Sequence, residues 1–432
     1  MASAESEQSS CEESFFEDCN CLDNFKTDLH ACSLEVVHTK EKCFCTIGCY
    51  ELEEEKRHRN GQILLFSIQG KENEAIFGDP IQTINSDSGI LDGKWLSIKK
   101  KCFGSSALDE TDDDSVHFYA AATASGIVQV YQLIVSHDDN SKDHRQILQL
   151  VTSSLDSDHD GSRICLALDW DRYSSLSSNS ATLVRLACSY SDGCVDVFQV
   201  DLSQLFSPCN GREPLQLELI QTYAMAHCYR FPPSTKLPAE VWTVAFAQHD
   251  ENILWSGGDD ATCQIWDVRI HASSVGKVKD ENSSFKWNAG VTTMAQHPTN
   301  PHWMAVGSYD EYVRFYDARY TSKPYQTKHV GGGVWRLKWQ PPMPFVEASE
   351  TSLLLVAAMH GGCRLLSHHF DSKNSDDAQV KEVQEFKLHK SMAYGADWIV
   401  NNHSIHDNHI VSSCSFYDNQ AFLWKTIPIL KN

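Results

Sequence analysis

The chain has 432 residues, and its 36 basic and 58 acidic side chains give a formal net charge of −22. This charge argues against sequence-independent nucleic acid binding and against adhesion to anionic membranes, because both need basic surfaces. The acidic N-terminus lacks the apolar core of a secretory signal, and no stretch reaches the roughly 18 apolar residues of a membrane-spanning helix. We therefore expect a cytoplasmic protein whose 16 cysteines stay reduced.

The first predicted element is an acidic tail at residues 1–27, which has no basic residue before Lys26. Most of this tail is expected to be solvated. The segment around Phe15–Phe25 is expected to supply an outer strand to the last sheet of the fold. That strand would leave the sheet without an open edge.

A repeated unit of strand, turn and strand follows over residues 28–428. Each unit has a strand of small residues, a turn residue, and an aromatic side chain six positions after the turn residue. The strand after the turn alternates in polarity, which is typical of a half-buried β-strand. Five units carry the aromatic side chain, at Tyr131, Phe198, Trp266, Tyr316 and Trp424. Diverged units at residues 45–68 and 353–368 bring the number to seven.

This pattern is typical of WD repeats, in which an aromatic residue followed by an aspartate ends the strand after the turn, as in Trp266-Asp267. It predicts an all-β fold, a seven-bladed WD40-type β-propeller. The units are longer than a bare WD repeat because long polar loops separate their strands. These loops lie at Ser105–His117, Ser136–Asp160, Tyr173–Thr182 and Asp371–Gln379.

The cysteine and histidine spacings do not predict a metal site. Pairs such as Cys43 and Cys45 lack the two-residue spacing of zinc ligands, and small buried side chains explain them better. The histidines at 403, 406 and 409 lie in a polar stretch that is typical of a loop. No glycine-rich phosphate-binding motif is present, and we expect no cofactor.

The sixth unit departs from the repeat. In many WD units a histidine before the inner strand bonds the turn aspartate, as His227 with Asp260 and His389 with Asp418 are expected to do. The sixth unit has His360 at the turn position. Its preceding loop contains His329, Gly331, Gly332 and Gly333. A neutral histidine can act as a general base and successive amides can bind an oxyanion, although a diverged tight turn explains the same residues.

Seven segments resemble the diphthine methylesterase family, a WD-repeat group of the diphthamide pathway. They occur in this order: SGGDD (256–260), WDVR (266–269), GSYDEYVRFYDAR (307–319), HVGGGVWRLKWQP (329–341), AAMHGG (357–362), YGADW (394–398) and CSFYD (414–418). The resemblance is specific in units four to seven and thinner before them. It implies hydrolysis of the methyl ester on methylated diphthine, a modified histidine of translation elongation factor 2, to diphthine and methanol.

That substrate would carry a trimethylammonium group, which binds aromatic faces and negative charge. Residues near the starts of inner strands and in the turns are candidates because they lie near the mouth of the channel. These candidates are Trp335, Trp242, Tyr309, Tyr394, Tyr417 and Asp259. For hydrolysis we expect His360 to activate water, His329 or Asp310 to orient it, and the 331–333 amides to hold the oxyanion.

Other interpretations stay open. Hydrolysis could pass through a covalent intermediate on Ser308 or Ser415. Arg269 and Arg319 follow two successive aromatic-Asp pairs, and such boxes resemble those that dock substrate receptors to the adaptor of cullin-type ubiquitin ligases. A non-catalytic scaffold that binds elongation factor 2 is a third interpretation. A monomer is expected, because a closed propeller exposes few strand edges.

Overall fold

The computed structural model describes residues 20–40, 42–70, 74–99, 115–136, 145–154, 163–172, 183–202, 216–271, 273–278, 287–342, 351–369, 379–399 and 409–427. The tail before residue 20, most of the predicted long loops, His403 and His406 lie outside these ranges. The regular elements within them are the strands β1–β30. No helix in these ranges is long and apolar enough to cross a membrane.

Seven four-stranded antiparallel sheets, the blades, account for nearly all the described strands, which confirms the predicted seven-bladed propeller. Blade one contains β2 (His30–His38), β3 (Cys43–Glu53), β4 (His58–Ile68) and β5 (Gln82–Ser86). Blade two contains β6 (Ile90–Lys99), β7 (Ser115–Thr123), β8 (Val128–Ser136) and β9 (Arg145–Ser153). Blade three contains β10 (Cys165–Trp170), β11 (Leu183–Tyr190), β12 (Val195–Asp201) and β13 (Glu218–Tyr223).

A separate hairpin, β14 (Cys228–Phe231) and β15 (Thr235–Pro238), precedes the fourth blade. Blade four contains β16 (Val241–Phe246), β17 (Ile253–Gly258), β18 (Thr262–Asp267) and β19 (Gly276–Val278). Blade five contains β20 (Val291–Gln296), β21 (Trp303–Ser308), β22 (Tyr312–Asp317) and β23 (Gln326–His329). Blade six contains β24 (Arg336–Trp339), β25 (Thr351–Ala357), β26 (Cys363–His369) and β27 (Gln379–Phe386).

Blade seven is built from both ends of the described chain. It contains β28 (Ala393–Ile399), β29 (Ile410–Ser415) and β30 (Gln420–Lys425), and β1 (Cys21–Lys26) is its outer strand. The register places Cys21 opposite Trp424 and Lys26 opposite Gln420. This pairing joins the first strand to the last blade, so β30 has no open edge.

The hydrophobic core is divided among the junctions between neighbouring blades. Each of seven buried clusters joins two adjacent sheets, and one joins blade seven to blade one. Inner-strand tryptophans add directional bonds across these junctions. Trp170 Nε1 donates to Lys94 O at 3.1 Å, and Trp398 Nε1 donates to Lys338 O at 2.9 Å. These two tryptophans therefore serve blade-to-blade packing.

Charged side chains of the inner strands meet around the channel. Lys94 bonds Glu35 at 2.8 Å, and Lys338 bonds the other oxygen of Glu35 at 2.6 Å. Arg336 bonds Asp92 at 2.9 Å. Burial alone would raise the pKa of Glu35, but the two lysines lower it to about 2. These ion pairs tie blades one, two and six together beneath the loops that carry the candidate site.

Candidate functional site

The candidate residues lie where the second and third strands of each blade turn and where the chain enters the next inner strand. Because the strands are antiparallel, these two kinds of loop share one face of the propeller. Within blades four to seven, this face carries the turns 258–262, 308–312, 357–363 and 415–420. The sequence signal was strongest in the same blades.

Blade four shows the repeat's structural histidine. His227 is 0% exposed, and its Nδ1 donates to Asp260 at 2.8 Å. Ser256 joins His227 Nε2 at 2.7 Å and accepts from Trp266 Nε1 at 2.8 Å. Burial raises the pKa of Asp260, but the hydrogen bond from His227 outweighs burial and lowers it. The predicted pair is present, and all its polar atoms are occupied.

In blade seven, the predicted direct contact between His389 and Asp418 is wrong. His389 Nδ1 lies 2.7 Å from Ser415 Oγ, and Ser415 donates to Asp418. His389 Nε2 lies 2.8 Å from Ser413 Oγ. Burial lowers the pKa of His389 to about 4. Ser415 therefore bridges His389 and Asp418, which the sequence predicted to bond directly.

The two serine candidates for a covalent route are both buried. Ser415 is 0% exposed and lies between His389 and Asp418. Ser308 is 1% exposed, donates to Ala289 O at 3.1 Å, and accepts from the Asp310 amide at 3.3 Å. Their hydroxyls already bond protein groups, which favours structural roles.

Two exposed histidines meet at one carboxylate beside blade six. His329 Nε2 lies 2.9 Å from Glu311 Oε2, and His360 Nε2 lies 3.9 Å from Glu311 Oε1. The side chains of His329 and His360 are 53% and 65% exposed. The structure thus brings the two predicted histidines to one carboxylate, Glu311, which the sequence analysis did not identify. The only sequence signal for it is an acidic residue directly after the turn aspartate.

Asp310, the other predicted orienting group, is held elsewhere. Its two carboxylate oxygens accept from Arg314 at 3.0 and 2.8 Å, and Arg314 is buried. This bidentate ion pair secures the turn of blade five. Glu311, rather than Asp310, therefore faces the two histidines.

The glycine loop, residues 331–333, packs against residues 358–361 and against Tyr309. A Cβ on Gly332 would lie 2.1 Å from Ala358 O, so this position excludes any side chain. Gly333 approaches both Tyr309 and Met359, which precedes His360. Within the described part of the chain, the N–H groups of residues 331–333 have no hydrogen-bond acceptor. Gly331 is exposed, whereas Gly332 and Gly333 are buried against blade six and Tyr309, so the Gly331 N–H is the donor at the surface of this loop.

The predicted aromatic residues form one continuous group. Trp335 stacks on Tyr394 with ring centroids 4.8 Å apart, and it lies 5.7 Å from both Trp242 and Tyr309. Tyr417 connects to Tyr394 through Phe416, which lies 5.3 Å from Tyr394 and 4.9 Å from Tyr417. The sequence missed Phe416, as well as His30 and Tyr50, which contact it from blade one.

Negative charge lies against one end of this aromatic group. Asp259 accepts from Trp242 Nε1 at 3.3 Å and from the hydroxyl of Tyr229 on the β14–β15 hairpin. Burial and the nearby Asp259 raise the pKa of Glu240. The hairpin thus fixes a carboxylate beside the tryptophan. Aromatic faces with a carboxylate are a favourable surface for a quaternary ammonium group.

The predicted adaptor-docking arginines lie elsewhere. Arg269 and Arg319 follow the third strands of blades four and five, at the ends opposite the turns. Each is exposed and bonds its own aspartate, Arg269 to Asp267 at 2.6 Å and Arg319 to Asp317 at 2.6 Å. Both aspartates also accept from the arginine amides, which is the geometry of a strand-end cap.

Comparison with known proteins agrees with this architecture. The family model "WD domain, G-beta repeat" matches residues 231–267 and 281–317. A Dictyostelium discoideum protein named "Diphthine methyltransferase homolog" is 30% identical over 403 residues, covering 87% of this chain and 91% of its own. A Schizosaccharomyces pombe protein named "Diphthine methyltransferase" is 27% identical, covering 88% and 90%. A chain of the solved "Mitotic Checkpoint Complex" shares the fold at 15% identity, with a TM-score of 0.51 and coverage of 93% of each chain.

Proposed function

Because this chain belongs to the diphthine methyltransferase family, we propose that it hydrolyses the methyl ester of methylated diphthine on translation elongation factor 2, releasing diphthine and methanol. The observation that carries this proposal is the placement of two exposed histidines, one carboxylate and the free Gly331 amide beside an aromatic group. The proposed compartment is the cytoplasm, where the free thiols would stay reduced.

Recognition is assigned to the aromatic group. The trimethylammonium of the substrate would lie against Trp335, Trp242 and Tyr309, with Asp259 supplying negative charge. A trimethylammonium group has no proton to release and therefore stays positively charged. Nearby carboxylates with fixed positions attract it. Tyr394, which stacks on Trp335, and Tyr417 would supply further aromatic faces for the same cation.

Hydrolysis is assigned to the histidines and glycines. Water attacks the ester carbonyl carbon while His360 takes one of its protons. The negative charge that develops on the carbonyl oxygen is stabilised by the Gly331 amide. The tetrahedral intermediate then breaks its bond to the methoxy oxygen, which takes the proton from the imidazolium and leaves as methanol. The product carboxylic acid then releases its proton to solvent and leaves the carboxylate of diphthine.

The direction of the reaction distinguishes this proposal from the names of the relatives, which specify methyl transfer. An exposed imidazole pair with a free amide supports attack by water on an ester. Addition of a methyl group would instead require a methyl donor. The two directions predict mass changes of opposite sign on the same protein.

The deciding experiment measures the intact mass of elongation factor 2 carrying the ester form, before and after incubation with the purified chain. Ester hydrolysis predicts a loss of about 14 Da with release of methanol. A gain of about 14 Da on the unmethylated form, only with S-adenosylmethionine, would favour methyl transfer instead. Binding of elongation factor 2 without any mass change would favour the scaffold.

A second candidate function rests on the exposure of Arg269 and Arg319 at one end of neighbouring strands. These two guanidinium groups would dock the adaptor of a cullin-type ubiquitin ligase. Capture of the adaptor by the wild-type chain, and its loss in the Arg269→Ala, Arg319→Ala double variant, would support this function. Equal capture by both proteins would leave the arginines as strand-end caps.

A further inference from the structure

We infer that Glu311 is the positioning residue of the hydrolytic site: its carboxylate sets the tautomer of His329 through a hydrogen bond, and it lies close enough to His360 to stabilise the imidazolium that forms there. The inference rests on the proposed ester hydrolysis. It concerns a residue that lies between both candidate bases, with His329 Nε2 at 2.9 Å and His360 Nε2 at 3.9 Å from its carboxylate.

The chemistry of the contact fixes the proton. An ionised carboxylate only accepts hydrogen bonds, so a neutral histidine that bonds it must carry its hydrogen on the contacting nitrogen. His329 Nε2 lies within hydrogen-bond distance of Glu311 at 2.9 Å, so its opposite nitrogen, Nδ1, is the basic atom. His360 Nε2, at 3.9 Å, lies beyond hydrogen-bond distance but within reach of the carboxylate's charge. The same carboxylate stabilises the imidazolium that forms when water is deprotonated, as the aspartate of a catalytic triad does.

The backbone holds Glu311 in this place. Its φ is +70°, a left-handed conformation that is unfavourable for a residue with a side chain. The matching turn positions of four other blades, Gly126, Gly193, Ala261 and Asn419, share this conformation, so it belongs to the turn of the repeat. Glu311 O also accepts from the Val330 amide at 3.0 Å. The glutamate is therefore joined directly to the start of the glycine loop.

The other charged groups nearby are already paired. Asp310 is bonded to Arg314. Arg364, beside Gly331, donates to Val330 O at 3.1 Å and pairs with Glu382 and Glu385 of β27. Glu311 is thus the carboxylate that contacts both imidazoles among the described residues.

The test compares wild type with Glu311→Gln, Glu311→Ala, His360→Ala and the Glu311→Ala, His360→Ala double variant. Glu311→Gln is expected to lower kcat about tenfold or more, with KM nearly unchanged, because the amide keeps the shape but loses the charge. The double variant should be no slower than His360→Ala, since both changes remove one catalytic unit. Glu218→Gln, on the exposed outer strand β13, is the matched control.

A second readout does not depend on turnover. Long-range ¹H–¹⁵N NMR of the histidine rings should show the Nε2–H tautomer for His329 in wild type, and a mixture in Glu311→Gln. Wild-type turnover with an unchanged Glu311→Gln rate and unchanged tautomers would overturn the inference and leave the proposed function standing. Absence of wild-type turnover would overturn the function, and the NMR spectra alone would then decide the role of Glu311.

Discussion

Blades four and six use histidine in opposite ways at the same face of the propeller. In blade four, His227 is buried, and Asp260 and Ser256 occupy both of its nitrogens. In blade six, His360 replaces the turn aspartate and lies exposed, with one nitrogen toward Glu311. A buried and saturated imidazole stabilises a fold, whereas an exposed one with a free nitrogen can exchange protons. The proposed hydrolytic site thus lies where the repeat loses its internal His–Asp pairing.

The largest expected effect is on catalysis in blade six. His360→Ala should reduce kcat for ester hydrolysis about 10²–10⁴-fold, the usual contribution of a general base. Its free energy of unfolding should change by less than about 0.5 kcal/mol, because the side chain is exposed. The rate of methanol release and urea denaturation measure the two effects. His58→Ala, another exposed histidine, is the control, and an unchanged rate in the His360 variant excludes it as the base.

The reverse outcome is expected in blade four. His227→Ala should lower the free energy of unfolding by about 3 kcal/mol, because Asp260 and Ser256 lose a buried partner. The kcat of the folded protein should stay at the wild-type value. Urea denaturation followed by tryptophan fluorescence measures the loss. A midpoint equal to that of wild type would show that this pairing does not stabilise the blade.

Buried histidines also predict the pH dependence of stability. Burial lowers the pKa of His297, His368 and His389 to about 4 in the folded protein, against about 6.5 when unfolded. The unfolded chain therefore binds more protons between these values. Their stabilisation is fully present above about pH 6.5 and is lost as the pH falls toward 4, by about 3 kcal/mol each.

Denaturation midpoints measured across this pH range test the effect. His368→Gln should flatten the dependence, because it removes one of the three titrating groups. Leu52→Gln, at an exposed position that does not titrate, should leave the slope unchanged. Equal slopes in wild type and the His368 variant would contradict the assignment.

The smallest expected effect is on substrate recognition. Tyr394→Leu should raise KM about five- to tenfold, because one aromatic face of the stacked pair with Trp335 is lost. The kcat should change little, since Tyr394 lies apart from the histidines. Tyr320→Leu, at an exposed tyrosine following β22, is the control. An unchanged KM for the trimethylated substrate in the Tyr394 variant would place the cation elsewhere.

Local sequence signals were sufficient for the architecture. The alternating strands, the turn residues and the aromatic six positions later recur along the chain, and each depends only on neighbouring residues. They located all seven blades, including the two diverged ones. The departure of the sixth unit from the repeat also predicted His329, His360 and the glycine loop as candidate site residues.

The composition of the candidate site was decided by tertiary structure. Glu311 lies in the turn before β22, and His329 ends β23 of the same blade, where it pairs with Tyr312. His360 lies in a turn of blade six, so the packing of blades five and six brings it to this carboxylate. The turn pattern likewise did not predict that Arg314 pairs with Asp310. A repeat predicts which residues share a strand face, because the alternation along a strand depends only on neighbouring residues. Which loops meet across a blade junction depends on closure of the ring and on side-chain packing at each junction.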